Sequence, residues 1–290
     1  MLKNTTSTII FLAITMLSFK ADKPAYELFN GNGKKVEYSR LIKDALEADV
    51  IFYGELHNDP ISHWLELEIT RDLYKIKGKK LVLGAEMFER DDQLIINEYL
   101  DSLYESSKFE PEVKLWKNYK TDYKPLLEFA RENQLKFIAT NIPRRYASMV
   151  SRSGFEVLDS LADDAKKFIA PLPVQYDPEL KGYKDMLNMG GGNMEHANTN
   201  LPKAQAIKDA TMAFSILENL KEGDLFVHYN GSYHSSNFEG IIWYLQQANP
   251  DLKIITVETV LQEDISELEE ENKGIASFIV CVPETMTKTY

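Results

Sequence analysis

The sequence predicts an α/β fold, a mainly parallel sheet flanked by helices and carrying a small helical insertion. Three observations point there. Short apolar runs alternate with helix-like stretches, which is the signature of βαβ units. Four of the six runs lead into a carboxylate, an amide or a Gly-and-His turn at one end, where open parallel sheets place their ligands. The chain has 290 residues, enough to bury a substantial core in one large α/β domain.

The strand candidates are residues 50–53, 81–85, 136–140, 225–229, 253–257 and 275–282. Between the first two, Trp64, Leu67, Glu68, Leu73 and Ile76 occupy a stretch that opens at Pro60 and closes at Gly78, the expected order for the two helix-end residues. Residues 91–103, 125–133 and 202–220 read as further helices. At about 155–200 the composition changes: residues 158–169 look helical, then Pro171, Pro173, Pro178, Gly182 and Gly190 to Gly192 follow among Met, Tyr and Asn. A small helical insertion that covers a site is expected there. Residues 261–272 are strongly acidic and read as a solvated helix or loop. Cys281, the single cysteine, sits in the last apolar run and reads as a buried core residue, since it has no internal partner.

Lys3 followed by the apolar residues 9–17 has the length of a secretory signal core and is short for a bilayer span, so residues 1–21 are expected to direct export and residues 22–290 to form the mature domain, while an uncleaved anchor stays open because residues 18–22 lack a clean small-x-small cleavage pattern. Export without a disulfide framework fits a periplasm or an outer-membrane surface. With no cysteine near this segment, anchoring through a lipidated Cys is not expected. A net charge of -12 opposes the phosphate backbone, so nucleic acid is not an expected partner.

Gly54-Glu55-Leu56-His57 follows the first strand and Gly231-Ser232-Tyr233-His234 the fourth. Side chains alternate along a strand, so Glu55 and His57 share one face as a carboxylate and imidazole pair. Glu86 ends the second strand and Asn141 the third. Glu55, His57 and His234 make a ligand set suited to Zn, Mn or Fe, with Glu86 as a fourth ligand or a base acting on metal-bound water. An ordinary structural role for Glu55, as an acceptor for loop amides, stays open.

Gln205, Asp209, Met212 and Ile216 recur at helical spacing, and a polar pair on an apolar stripe suggests that this face meets a site. Arg144 and Arg145 follow Asn141 and suit carboxylates such as propionates. His63 reads as a satisfied helix residue and His228 as a core histidine.

Together, Gly-Glu-Leu-His with His63, residues 86–90, Asn141-Ile142-Pro143-Arg144-Arg145 and the Gly231 to His234 turn resemble the ChaN family, haem-binding, iron-regulated bacterial surface proteins related to the Tiki, TraB and erythromycin esterase group. The resemblance runs from about Tyr26 to Val257. It implies haem held at a homodimer interface, association with an outer-membrane haem transport system, and a cleft shaped by Glu55, His57, Glu86, Asn141, Asp209 and His234. Axial-ligand candidates are His196, Tyr183, Met189, Tyr146 and Tyr233, with His196 the sharpest because it lies in the Met-rich insertion. The relatives also leave open a metal-dependent hydrolase, a peptidase or esterase with Glu55, His57 and His234 around a metal-bound water.

Overall fold

The computed structural model describes residues 23–188 and 199–290, so the expected signal segment and the candidates Met189 and His196 lie outside the described residues. The strands are β1 (Glu27–Asn30), β2 (Val50–Glu55), β3 (Leu81–Glu89), β4 (Lys136–Asn141), β5 (Leu225–Gly231), β6 (Ile254–Gln262) and β7 (Phe278–Pro283). They form one sheet in the order β1-β7-β6-β2-β5-β3-β4. All neighbours are parallel except β1, which pairs antiparallel with β7. The helices are α1 (Tyr38–Ala45), α2 (Pro60–Lys77), α3 (Gln93–Leu100), α4 (Ser106–Phe109), α5 (Lys124–Glu132), α6 (Arg144–Ser153), α7 (Asp163–Lys166), α8 (Lys181–Asn188), α9 (Leu201–Asn219) and α10 (Ile241–Ala248).

Period-two alternation sorts the sheet into two cores. Ile51, Tyr53, Leu83, Val227 and Tyr229 pack on Leu65, Ile69 and Leu73 of α2 and Leu126 and Leu127 of α5. Val50, Phe52, Val82 and Phe226 face Met212 and Ile216 of α9 and Ile241, Ile242 and Leu245 of α10. Each such fully buried side chain contributes about 1.5–3 kcal/mol of apolar transfer. Strands covered on both sides carry near-continuous apolar sequence, and β2 and β5 are buried at every position. Between β4 and β5, a third cluster joins Ile142, Tyr146 and Val150 to Leu158, Ile169 and Ile207, building the helical part beside the sheet.

Local chemistry sets where α2 begins. Asp59 caps it by accepting from Ile61 N and Ser62 N, both at 3.0 Å, and Pro60 occupies the first turn. The buried face of α2 is not purely apolar: His63, Glu66 and Thr70 are buried, whereas Trp64 and Ile76 are exposed.

Glu258 of β6 lies in register with Gly54. Its Oε2 is buried without a hydrogen-bond partner, and burial pushes its carboxyl up to about 8. A carboxyl raised in the folded state stabilises most below its unfolded value of about 4.3 and loses that contribution as pH climbs through the raised one. Glu258→Gln is therefore expected to stabilise the protein at pH 9 by on the order of 2 kcal/mol relative to wild type. Urea unfolding at pH 5 and pH 9 checks this, and an equal difference at both would contradict it.

Candidate functional site

Strand order brings the chemistry together. Because β5 inserts between β2 and β3, the carboxyl ends of β2, β5, β3 and β4 are consecutive in the sheet. They deliver Glu55, Gly231, Glu86 and Asn141 to one edge. A cleft of about 430 Å³ opens there, lined by His57, Glu86, Glu89, Trp116, Asn141, Ile142, Arg144, Met186, Gln205, Lys208, Gly231, Tyr233 and His234. That size lies in the usual range for small-molecule sites.

His57 is held from behind. Its Nδ1 lies 2.7 Å from Glu55 Oε1, and the same oxygen accepts the Tyr123 hydroxyl at 2.7 Å. Trp116 meets the imidazole edge-on at 4.9 Å between ring centres. Against the other side stands Gly231, where an added Cβ would come within 2.7 Å of His57 Cε1 and 2.8 Å of Nε2. A glycine is required there because any side chain would occupy the space of the imidazole. Burial is the largest influence on His57 and pulls its pKa down, but the Glu55 hydrogen bond and the charges of Glu86 and Glu55 outweigh it and raise it.

Glu86 ties β3 to the end of β5. Its Oε2 accepts from Gly231 N at 2.8 Å, and its Oε1 lies 3.1 Å from His234 Nε2. His234 Nδ1 bonds Asp209 Oδ1 from α9, and Tyr183 donates to Asp209 Oδ2 at 2.8 Å. Burial opposes charge on His234, yet the two carboxylates prevail and push its pKa up to about 9, so it stands as an imidazolium at neutral pH. Burial also opposes ionisation of Glu86, but the facing His234 holds its carboxyl well below the usual range. In this acid–imidazolium–acid chain, Glu86 and His234 form the back wall of the cleft and Asp209 stands behind them.

The structure revises several expectations. Glu55, His57 and His234 do not form a compact ligand trio: Glu55 lies behind His57, and both nitrogens of His234 face carboxylates. Among the described residues, the group with ligand atoms close enough for one cation is Glu55, His63 and Glu66. Asp209 is buried behind His234 and does not line the cleft. Tyr183 is buried and bound to Asp209, so its hydroxyl is engaged. Tyr146 packs in the helical cluster under the Arg145 guanidinium, 4.4 Å from its ring centre, and does not reach the cleft.

Arg144 lines the cleft and is exposed, whereas Arg145 turns to Asp91 at 2.5 Å. Both border an adjoining groove of about 860 Å³ with Lys114, Lys117, Trp116 and Tyr290. Asn141 donates to Glu86 O at 3.0 Å, while its buried Oδ1 has no partner. His228 is a core histidine, bonded to Thr140 Oγ1 and Asn230 Oδ1, and burial pushes its pKa down to about 4. Sequence reasoning missed Trp116, Lys208 and Met186; only Lys208 carried a signal, one turn from Gln205 and beside Asp209.

A family profile described as haem-binding uptake, Tiki superfamily, ChaN matches residues 41–245, which is most of the chain and includes every cleft residue named above. The chain belongs to the ChaN family. Its fold resembles the solved structure reported as cofacial haem binding to ChaN of Campylobacter jejuni, with a TM-score of 0.66 at 17% identity, covering 88% of this chain and 96% of that one. The chloroplastic protein RETICULATA-RELATED 5 of Arabidopsis thaliana is 25% identical over 226 residues, 73% of this chain. This ChaN-family chain spans only 30% of that relative's length.

Proposed function

We propose that this is an exported haem-binding protein of iron acquisition, and that the cleft at the carboxyl ends of β2, β5, β3 and β4 receives haem. Family membership supports the reading, as does the cofacial haem reported for the Campylobacter neighbour. The observation that carries it is the make-up of the cleft. Trp116, Ile142, Met186 and Tyr233 offer apolar and aromatic surface, and Arg144 and Lys208 supply cations.

Bound haem would supply an iron that takes His or Tyr as axial ligand. Tyr233, 55% exposed at the mouth, and the partly exposed His57 are the described cleft side chains able to serve. His234 is unsuited, because an imidazolium between two carboxylates has no lone pair to give. The same point weighs against a metal-dependent hydrolase centred on His57 and His234. Arg144 and Lys208 would meet the propionates, with Arg145 beside the adjoining groove. A second copy of the chain over the open mouth would enclose the ligand, and an outer-membrane haem transport system would receive it. The place of action would be the periplasm or the outer-membrane surface.

Titrating the purified protein with haemin is expected to give a saturable Soret shift. Reversing Arg144 or Lys208 to Glu is expected to weaken binding by about tenfold each, the worth of one charge-assisted contact. A linear, unsaturated absorbance increase would overturn the reading.

A further inference from the structure

Behind the cleft, under His57, lies a second cluster that haem binding does not use. α2 carries His63 and Glu66 one turn apart, and both are buried against the end of β2. His63 Nδ1 lies 3.4 Å from Glu55 Oε2 and 3.3 Å from Glu66 Oε2. Its Nε2 lies 3.2 Å from the main-chain oxygen of His57 and 3.4 Å from Asp122 Oδ2. A carbonyl can only accept, so Nε2 carries the hydrogen and donates it. Nδ1 then faces two carboxylates at once.

That arrangement suits a positive centre. A proton can bridge Nδ1 to one oxygen at a time, whereas a cation can be bound by all three groups. Glu55 Oε2 and Glu66 Oε1 are buried and lack hydrogen-bond partners, so capacity for a ligand is built in and unmet within the protein. The spacing also fits. Ligands about 2.0–2.2 Å from a tetrahedral zinc lie roughly 3.3–3.5 Å from one another, and both His63 contacts fall there. Metal-bound imidazoles commonly donate their second N–H to a backbone carbonyl or a carboxylate, as Nε2 does here.

We propose that Glu55, His63 and Glu66 bind one divalent cation of the zinc class, in a buried site distinct from the haem cleft. Its role is to position. Glu55 Oε1 holds His57 while Glu55 Oε2 faces the cation, so the metal fixes the carboxylate that orients a cleft imidazole. Asn118 donates to His57 O at 3.0 Å and to Asp122 Oδ2 at 2.7 Å, tying both partners of His63 Nε2 together.

The test uses the full chain, stripped with a chelator and titrated with cobalt(II) as the probe. About one equivalent is expected to bind with the visible absorption of a tetrahedral site and to be displaced by zinc. Glu66→Gln is expected to lower cobalt affinity by roughly 100-fold or more, and Glu68→Gln, on the partly exposed side of α2 where it pairs with Arg71, to leave it unchanged. X-ray absorption on the wild-type cobalt protein, which needs no variant to fold, is expected to show a single imidazole in the coordination shell. Two imidazoles, binding that survives Glu66→Gln, or no retained cobalt would each overturn the proposal.

Discussion

Replacing His234 by Ala is expected to destabilise the protein by about 3–5 kcal/mol, because it leaves buried carboxylates without their shared cation. Glu86 and Asp209 are both buried, and each faces one nitrogen of His234. The remaining contacts, Gly231 N on Glu86 and the Tyr183 hydroxyl on Asp209, satisfy hydrogen bonding without neutralising charge. The loss is also pH-dependent. With its folded pKa raised to about 9, His234 contributes fully below an unfolded value of about 6.5 and ceases to as pH rises through 9. The wild type is therefore expected to lose about 3 kcal/mol from this residue between pH 6 and pH 10, and the variant curve to be flatter across that window. Urea unfolding at several pH values reads both effects. A loss below about 1 kcal/mol at pH 6, the usual worth of a surface pair, would contradict the acid–imidazolium–acid chain.

Gly231→Ala is the second large effect. Its new methyl would sit inside the van der Waals boundary of the His57 ring, so the ring must leave its place between Gly231 and Trp116. Leaving stretches or breaks the Glu55 hydrogen bond and pushes the imidazole into the cleft. Overpacking of this kind costs about 1–3 kcal/mol. Haemin affinity is expected to fall by about tenfold or more, the equivalent of at least 1.4 kcal/mol of binding. Gly182→Ala serves as the control, because an added Cβ there meets nothing nearer than Glu239 Oε2 at 3.7 Å. Equal haemin binding in the two variants would show that His57 does not border the ligand.

The parallel strands and their polar ends were legible because a strand buried on both faces reads as an apolar run, and its carboxyl end must stop being apolar where a ligand enters. Glu86 and Asn141 stood out for that reason, although β3 runs on through Glu89 past a shift in register. The antiparallel β1 was not legible: four residues with no sustained alternation, paired with a strand some 250 positions away. Trp116 lies in the irregular stretch after α4 and Tyr123 ends the single π-helical turn Tyr119–Tyr123 before α5, so no sustained periodicity announces which side chain turns inward. α2 misleads in another way, since its apolar Trp64 and Ile76 are exposed while His63 and Glu66 are buried. Polar residues went inward there because the end of β2 offers charged partners rather than a flat apolar face. Arg145 and Tyr146 show the same limit, since one residue beyond Arg144 the helix already points elsewhere.

Whether haem enters this cleft is read most directly from the anomalous scattering of iron in crystals grown with haemin. One iron peak per chain is expected in the space bounded by His57, Trp116, Met186 and Tyr233. A peak elsewhere on the surface, or none in crystals of protein saturated with haemin, would contradict the assignment.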